Sequence, residues 1–158
     1  MEENNKIIAE FMNFPKITNV RDSESGKYYD YWLPNNFNLI LEQEIQIESN
    51  NGWGLVHQDC VFVRDLIFHS DWNWLMEVVE KIENLPSRTL QGTYYLGNEV
   101  KIYKAINTNT HYCEINLVKE SGYRIVSIQF NKESKIKSVY DACLEFIKWY
   151  NLNSEKEN

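Results

Sequence analysis

Residues 100–130 read VKIYKAINTNTHYCEINLVKESGYRIVSIQF, and apolar side chains recur at every second position in three parts of this run. A period of two with many β-branched and aromatic residues predicts strands whose side chains alternate between two faces. Polar turns at 107–110 and 120–122 separate the three parts. Consecutive strands joined by short turns predict an antiparallel meander.

Amphipathic helices are predicted on both sides of this meander. The first spans about residues 5–12 and ends before Pro15; the second is capped by Ser70 or Asp71 and ends before Pro86; the third begins at Ser138. In the second and third helices, apolar side chains fall at helical spacing: Trp72, Leu75, Met76, Val79 and Ile82, then Val139, Cys143, Phe146 and Tyr150. These side chains are predicted to form the core.

Residues 28–33, 45–48 and 53–68 are also predicted to be extended, with a hairpin-type turn at residues 51–52. Runs of strands between helices, without strict alternation, indicate an α+β fold in which an antiparallel sheet is covered by helices. We expect one domain over residues 1–158 with three main helices. Residues 22–68 are expected to form an aromatic, strand-rich segment, which we call the insert, and residues 152–158 are expected to be a frayed tail.

The charge balance argues against nucleic acid as a partner. The chain has 16 Lys and Arg and 23 Asp and Glu, which gives a net charge of −7, and the cations are interleaved with acids along the sequence. Binding to a phosphate backbone requires clustered cations. No run approaches the ~20 apolar residues that a membrane span needs, and no signal peptide is expected. Three scattered cysteines fit a reducing cytoplasm.

Few residues could support catalysis or metal binding. His57, Asp59 and Cys60 are close in sequence, but no Cys-x-x-Cys or His-Glu-x-x-His motif accompanies them, so no metal site is expected. No glycine-rich phosphate loop is present, and we expect no cofactor. Cys113 and Cys143 lie on apolar faces and are predicted to be packed. Cys60 with His57 or His69 is the one nucleophile and base pair that merits testing.

Aromatic residues make up 14% of the chain, with five Trp, ten Tyr and seven Phe. Many lie in the insert, in a polar and Asn-rich setting where neighbouring rings point to both faces of a strand. Exposed Tyr and Trp are typical of interfaces, although a second small core beneath the insert explains the same pattern. The candidate binding residues are Tyr28, Tyr31, Trp32 and Trp53 of the insert, and Trp74 of the second helix.

Three segments carry a resemblance to a known family: NKIIAEFM at 5–12, HSDWNWLMEVVEKIE at 69–83 and VYDACLEFIKWY at 139–150. In order and spacing they resemble the phage ABA sandwich domain, a group of small phage and prophage proteins, especially those of Bacteroidetes and their phages. The resemblance implies an α-β-α sandwich of unknown biochemical activity and supplies no catalytic residues. The insert at 22–68 departs from the family pattern.

These observations together predict a non-enzymatic, phage-derived accessory protein in the cytoplasm of a bacterial host. It would act by binding a host or phage protein, a second copy of itself, or a small ligand, and could thereby counter host defence. The alternative is a small cysteine-dependent hydrolase that uses Cys60 with His57 or His69.

Overall fold

The structure is a computed structural model that describes residues 2–14, 16–21, 28–32, 44–49, 52–57, 61–62 and 66–154, with only the backbone described for residue 2 and for residues 17–62. Its elements, in chain order, are α1 (Glu2–Phe11), β1 (Lys16–Arg21), β2 (Tyr28–Trp32), β3 (Glu44–Ser49), β4 (Gly52–His57), β5 (Val61–Phe62), α2 (Trp72–Glu83), β6 (Arg88–Leu90), β7 (Thr93–Tyr95), β8 (Gly97–Ala105), β9 (Thr110–Lys119), β10 (Gly122–Asn131) and α3 (Lys135–Ser154). The predicted α+β class, with three helices and an antiparallel sheet covered by helices, is confirmed.

The chain divides into two compact units, Met1–Leu66 and Ile67–Asn158. In the first unit, β1 to β5 form an antiparallel sheet in the order β4-β3-β1-β2-β5. Ser49 lies opposite Gly52, so β3 and β4 form a hairpin as predicted, although Gly52, which was predicted to lie in the turn, is the first residue of β4. Helix α1 buries Ile8 and Ala9, and the amide Nδ2 of Asn5 donates to the carbonyl oxygen of Leu66 at 2.7 Å.

In the second unit, β8, β9 and β10 form the predicted antiparallel meander, in the order β10-β9-β8. Both helices of the unit pack on one face of this sheet, α3 against β9 and β10 and α2 against β8, and the two helices contact each other. Cys113, Ile115 and Leu117 of β9 point into this packing and are fully buried. We call this the inner face and the opposite one the outer face.

Strand β10 contains a β-bulge between Ile125 and Ser127. Val126 packs towards the cluster of Leu90, Tyr95 and Leu117, and Ser127 is also turned inwards, where its hydroxyl donates to the carbonyl of Ala142 at 3.0 Å. Two consecutive inward side chains shift the alternation of the strand by one residue. The residues that follow, Ile128 and Phe130, therefore reach the outer face.

The ends of α3 differ from the prediction. The helix begins at Lys135 and not at Ser138, because the hydroxyl of Ser134 accepts from the backbone N–H of Lys137 at 3.2 Å and caps the first turn. At its other end, the side chains of Asn153 and Ser154 bond back to the carbonyls of the preceding turn. The frayed tail predicted from residue 152 is thus wrong for 152–154, which are helical, whereas 155–158 lie outside the described residues.

The core face of α2 also differs from the prediction. Leu75, Val78, Val79 and Ile82 are buried, whereas Trp72 and Met76, which were predicted to join them, are 38% and 42% exposed. The buried stripe is therefore rotated towards Val78. The Lys135 ammonium lies 5.5 Å from the centre of the Trp72 ring, as in a cation–π contact.

A short hairpin that the sequence analysis did not identify, β6 paired with β7, follows α2. Its two-residue turn has Gln91 at φ 49° and Gly92 at φ 76°. Two consecutive positive φ values are those of a type I′ turn, which matches the twist of a hairpin and favours glycine. The hairpin carries Leu90 and Tyr95 into the cluster that contains Leu117.

The N-terminus of α2 offers a direct stability test. The carboxylate of Asp71 accepts from the backbone N–H groups of Asn73, at 2.8 Å, and Trp74, at 3.2 Å. We expect Asp71→Ala to lower the free energy of unfolding by about 1 kcal/mol, measured by urea denaturation. Asp71→Asn keeps the acceptor and should stay close to wild type; equal losses in the two variants would contradict a capping role.

Candidate interaction surface

The outer face of the meander is defined by the register of its three strands. Directly paired residues share a face, so the pairs Tyr103 with Tyr112 and Phe130 with Tyr112 place three aromatic rings side by side across all three strands. The rings of Tyr103 and Tyr112 have centroids 5.2 Å apart and planes 6° apart, and those of Tyr112 and Phe130 are 5.9 Å and 36° apart. We call these three residues the aromatic row.

The rings of the row stand edge-on to solvent. Two nearly parallel rings with centroids 5.2 Å apart overlap face to face with an offset, so their edges, and not their faces, point away from the sheet. Tyr103 and Tyr112 therefore form a ridge against which another surface can interdigitate, and the Phe130 ring is tilted by 36° at the end of this ridge.

Apolar side chains extend from the row over much of the outer face. Five of them are between 41% and 65% exposed: Tyr103, Tyr123, Ile125, Ile128 and Phe130. Together they leave on the order of several hundred Å² of apolar surface in contact with water, as much as the largest patch of a typical monomer. The largest apolar patch of a monomer is often a functional site.

Charged groups lie within this apolar surface. The ammonium of Lys101 is 3.0 Å from the carboxylate of Glu99 and 4.7 Å from the centre of the Tyr123 ring, and the hydrogen bond to Glu99 raises the pKa of Lys101. The hydroxyl of Tyr103 donates to the carboxylate of Glu114, which raises the pKa of Tyr103 to about 12. The face thus holds both signs of charge and is close to neutral.

Asn116, in the central strand, is the one polar side chain of the outer face that is fully buried. Its register partners are Glu99 and Ile125, and it is 0% exposed. Neither its amide oxygen nor its amide nitrogen has a hydrogen-bond partner among the described residues. A buried amide without partners costs about 1–3 kcal/mol, so the folded unit carries an unfavourable group at the centre of its exposed sheet face.

The candidate binding residues from the sequence are placed in three different elements. Tyr28, Tyr31 and Trp32 lie on β2, whereas Trp53 lies on β4, separated from β2 by β3 and β1. Their side chains are outside the description. Trp74 is half-buried, with its ring edge-on to Phe68 at a centroid distance of 5.2 Å. The sheet therefore does not make Trp53 a neighbour of the other insert aromatics.

The residues proposed for cysteine chemistry are only partly described. Cys60 lies outside the described residues, and His57 ends β4 with its side chain not described. The imidazole of His69 packs edge-on to Tyr140 at 6.2 Å. The predicted burial of Cys113 and Cys143 is confirmed, and burial raises the pKa of Cys113 to about 12 and that of Cys143 well above its usual value. These two thiols are therefore poor nucleophiles.

No group of three or more His, Cys, Asp or Glu side chains is arranged to hold a metal ion within the described part of the chain. None of the helices that the structure describes is long and apolar enough to cross a membrane.

Comparison of the chain with protein-family models, with curated proteins and with solved structures gave no match.

The aromatic row was not among the binding residues predicted from the sequence. The alternation of Tyr103 and Tyr112 with the apolar residues of their strands does place these two residues on the outer face. The same alternation, counted from Tyr123, would place Phe130 on the inner face, and only the bulge at Val126 brings it outwards.

Proposed function

We propose that this chain is a non-enzymatic accessory protein of phage or prophage origin that acts by binding a protein, either a host or phage protein or a second copy of itself, through the outer face of its meander. The observation that carries the proposal is the aromatic row, in which three rings contact one another across the three strands, with Tyr103 and Phe130 41% and 65% exposed and further exposed apolar side chains beside them on the same face. Exposed aromatic residues are typical anchors of protein interfaces. The proposal places the protein in the bacterial cytoplasm, where it would counter host defence.

The chemistry of the face favours a protein over other partners. Lys101 is the only cation among the outward-pointing side chains of the three strands, and Glu99 and Glu114 accompany it, so a phosphate backbone would meet net repulsion. The stacked rings of Tyr103 and Tyr112 present their edges, which suits packing against an apolar protein surface better than stacking of a base. Shape and charge both fit an apolar protein surface that contains a few polar groups.

Photo-cross-linking in host cells tests this proposal. With the photoreactive benzoylphenylalanine in place of Phe130, we expect discrete protein adducts after irradiation, because Phe130 is 65% exposed at the edge of the row. The matched control has the same group in place of Leu152, which is 63% exposed on α3 and far along the chain from the row. Adducts from Phe130 should exceed those from Leu152 several-fold. Equal yields from the two positions, or none from position 130, would refute binding through the outer face.

A further inference from the structure

We infer that the partner on the outer face is a second copy of this chain, packed sheet against sheet about a twofold axis that lies between the sheets and runs perpendicular to the strands. The inference rests on the proposed function, since it names the occupant of the same face. The observation that carries it is the order of residues along the three strands. When a second copy is laid over the face with its strands running in the opposite direction, the side chains that meet are complementary.

The two central rows of the outer face contain the charged and polar groups. One row consists of Lys101, Glu114 and Ile128 and the next of Glu99, Asn116 and Ile125, each taken in the order β8, β9, β10. A twofold axis between these rows brings each row over the other row of the second copy, with every strand facing its own equivalent. Sheets pack about 10 Å apart with their strands nearly aligned, so facing side chains come into contact.

Every position in the two rows then meets a complementary group. Lys101 faces Glu99 of the second copy, Ile128 faces Ile125, and Glu114 faces Asn116. Because the axis is twofold, each of these pairs occurs twice. A second copy placed about an axis parallel to the strands would instead oppose Glu114 to Glu114, which is repulsive.

The Asn116 amide, which has no hydrogen-bond partner among the described residues of the monomer, gains an acceptor in this arrangement. The carboxylate of Glu114 accepts from Tyr103 through one oxygen, which leaves the other free to accept from the Asn116 amide of the second copy. Because Asn116 is 0% exposed, its neighbours must move aside to admit the carboxylate, and in the same arrangement Lys101 turns from the Tyr123 ring of its own chain to the facing Glu99. Lys101 is on the surface with a flexible stem, so this movement has a low cost.

The flanking rows are complementary in size. The aromatic row, Tyr103, Tyr112 and Phe130, comes to lie over Gly97, Val118 and Tyr123 of the second copy. The large ring of Tyr103 therefore faces a residue without a side chain, and the two most exposed rings, Phe130 and Tyr123, face each other. Aromatic pairs and large-to-small contacts of this kind are typical of packed sheet faces.

The distribution of charge permits two copies to approach through this unit. Residues 67–158 contain 11 Lys and Arg and 12 Asp and Glu, whereas residues 1–66 contain 5 and 11. The net charge of −7 therefore belongs mostly to the first unit. The second unit by itself is nearly neutral, so two copies of its outer face meet little net repulsion from their own unit.

Charge reversal at the centre of the face provides the test. In Lys101→Glu homodimers acid would face acid, and in Glu99→Lys homodimers cation would face cation, so each variant alone should dimerise about tenfold or more weakly than wild type. In a mixture of the two full-length variants, the introduced carboxylate of one chain faces the introduced ammonium of the other. The unchanged Glu99 of the first variant likewise faces the unchanged Lys101 of the second, so a 1:1 heterodimer should form. Within either chain the two neighbouring charges repel, so restored pairing inside one chain cannot produce this result.

Analytical ultracentrifugation and native mass spectrometry, with one variant carrying a mass tag, supply the readout. We expect wild-type dimers at about 100 μM and a mixed-variant dimer with one tag. A wild-type monomer at that concentration, single variants that dimerise like wild type, or a mixture that stays monomeric would each overturn the inference. The cross-linking at position 130 distinguishes the two failures: adducts with another protein and no dimer would leave the proposed function standing, whereas no adducts at all would remove both.

Discussion

Phe146→Ala is expected to lower the free energy of unfolding of the 67–158 unit by about 3–5 kcal/mol, the range observed when a fully buried phenylalanine is truncated. Phe146 is 0% exposed in the middle of α3. Its ring contacts those of Trp149 and Tyr150, with centroids 5.7 Å and 6.1 Å away. Truncation would leave a cavity between the helix and the sheet that these larger rings cannot fill without moving.

Urea denaturation followed by tryptophan fluorescence measures this effect, since Trp149 is next to the substituted ring. Phe130→Ala is the matched control, because the same atoms are removed from a ring that is 65% exposed. At a protein concentration that keeps the chain monomeric, its loss should stay below about 1 kcal/mol. A loss of similar size in the two variants would mean that Phe146 does not occupy the core described above.

Asn116→Val is expected to act in the opposite direction and to raise the free energy of unfolding of the monomer by about 1–3 kcal/mol. The substitution removes an amide that is buried without partners and replaces it with a β-branched side chain suited to a central strand. In the dimer inferred above, the same change removes the donor to Glu114 and should weaken association. One substitution would thus stabilise the monomer and destabilise the dimer.

The control for this variant is the same substitution elsewhere in the sheet. Asn98, on β8, donates from its amide nitrogen to the carbonyl of Ile82 at 3.0 Å, and so connects the sheet to α2. Asn98→Val should lower the free energy of unfolding, because it removes the Asn98 donor from that carbonyl, which keeps only the backbone N–H groups of the helix end. Thermal unfolding of dilute protein compares the two variants. Destabilisation by Asn116→Val would show that the amide has a partner in the folded monomer.

Much of the second unit could be predicted from periodicity. The alternation at 100–105 and 112–118 identified two strands and assigned their faces, and the helical spacing of Val139, Cys143 and Phe146 identified the buried side of α3. Patterns of this kind report burial directly, because a strand or helix with one apolar side can be stable only when that side is covered.

What the sequence did not predict depends on contacts between distant residues. The cap of α3 at Ser134 competes with the equally plausible Ser138, and only the folded backbone decides between them. The burial of Asn116 follows from its register with Glu99 and Ile125, which no local pattern encodes. The aromatic row likewise requires three strands in register, and Phe130 joins it only through the bulge at Val126.

The bulge at Val126 makes the exposed surface depend on the length of the strand more than on its composition. Without that one residue, Ile128 and Phe130 would turn towards α3, and Ser127 and Gln129, which bond to α3, would turn towards water. A deletion of a single codon would therefore do more to this surface than many point mutations, because it would exchange the two sets of side chains at once. Descendants of this gene can alter the chemistry of individual positions gradually, but the number of residues between Tyr123 and Phe130 can change only with the loss of the surface itself.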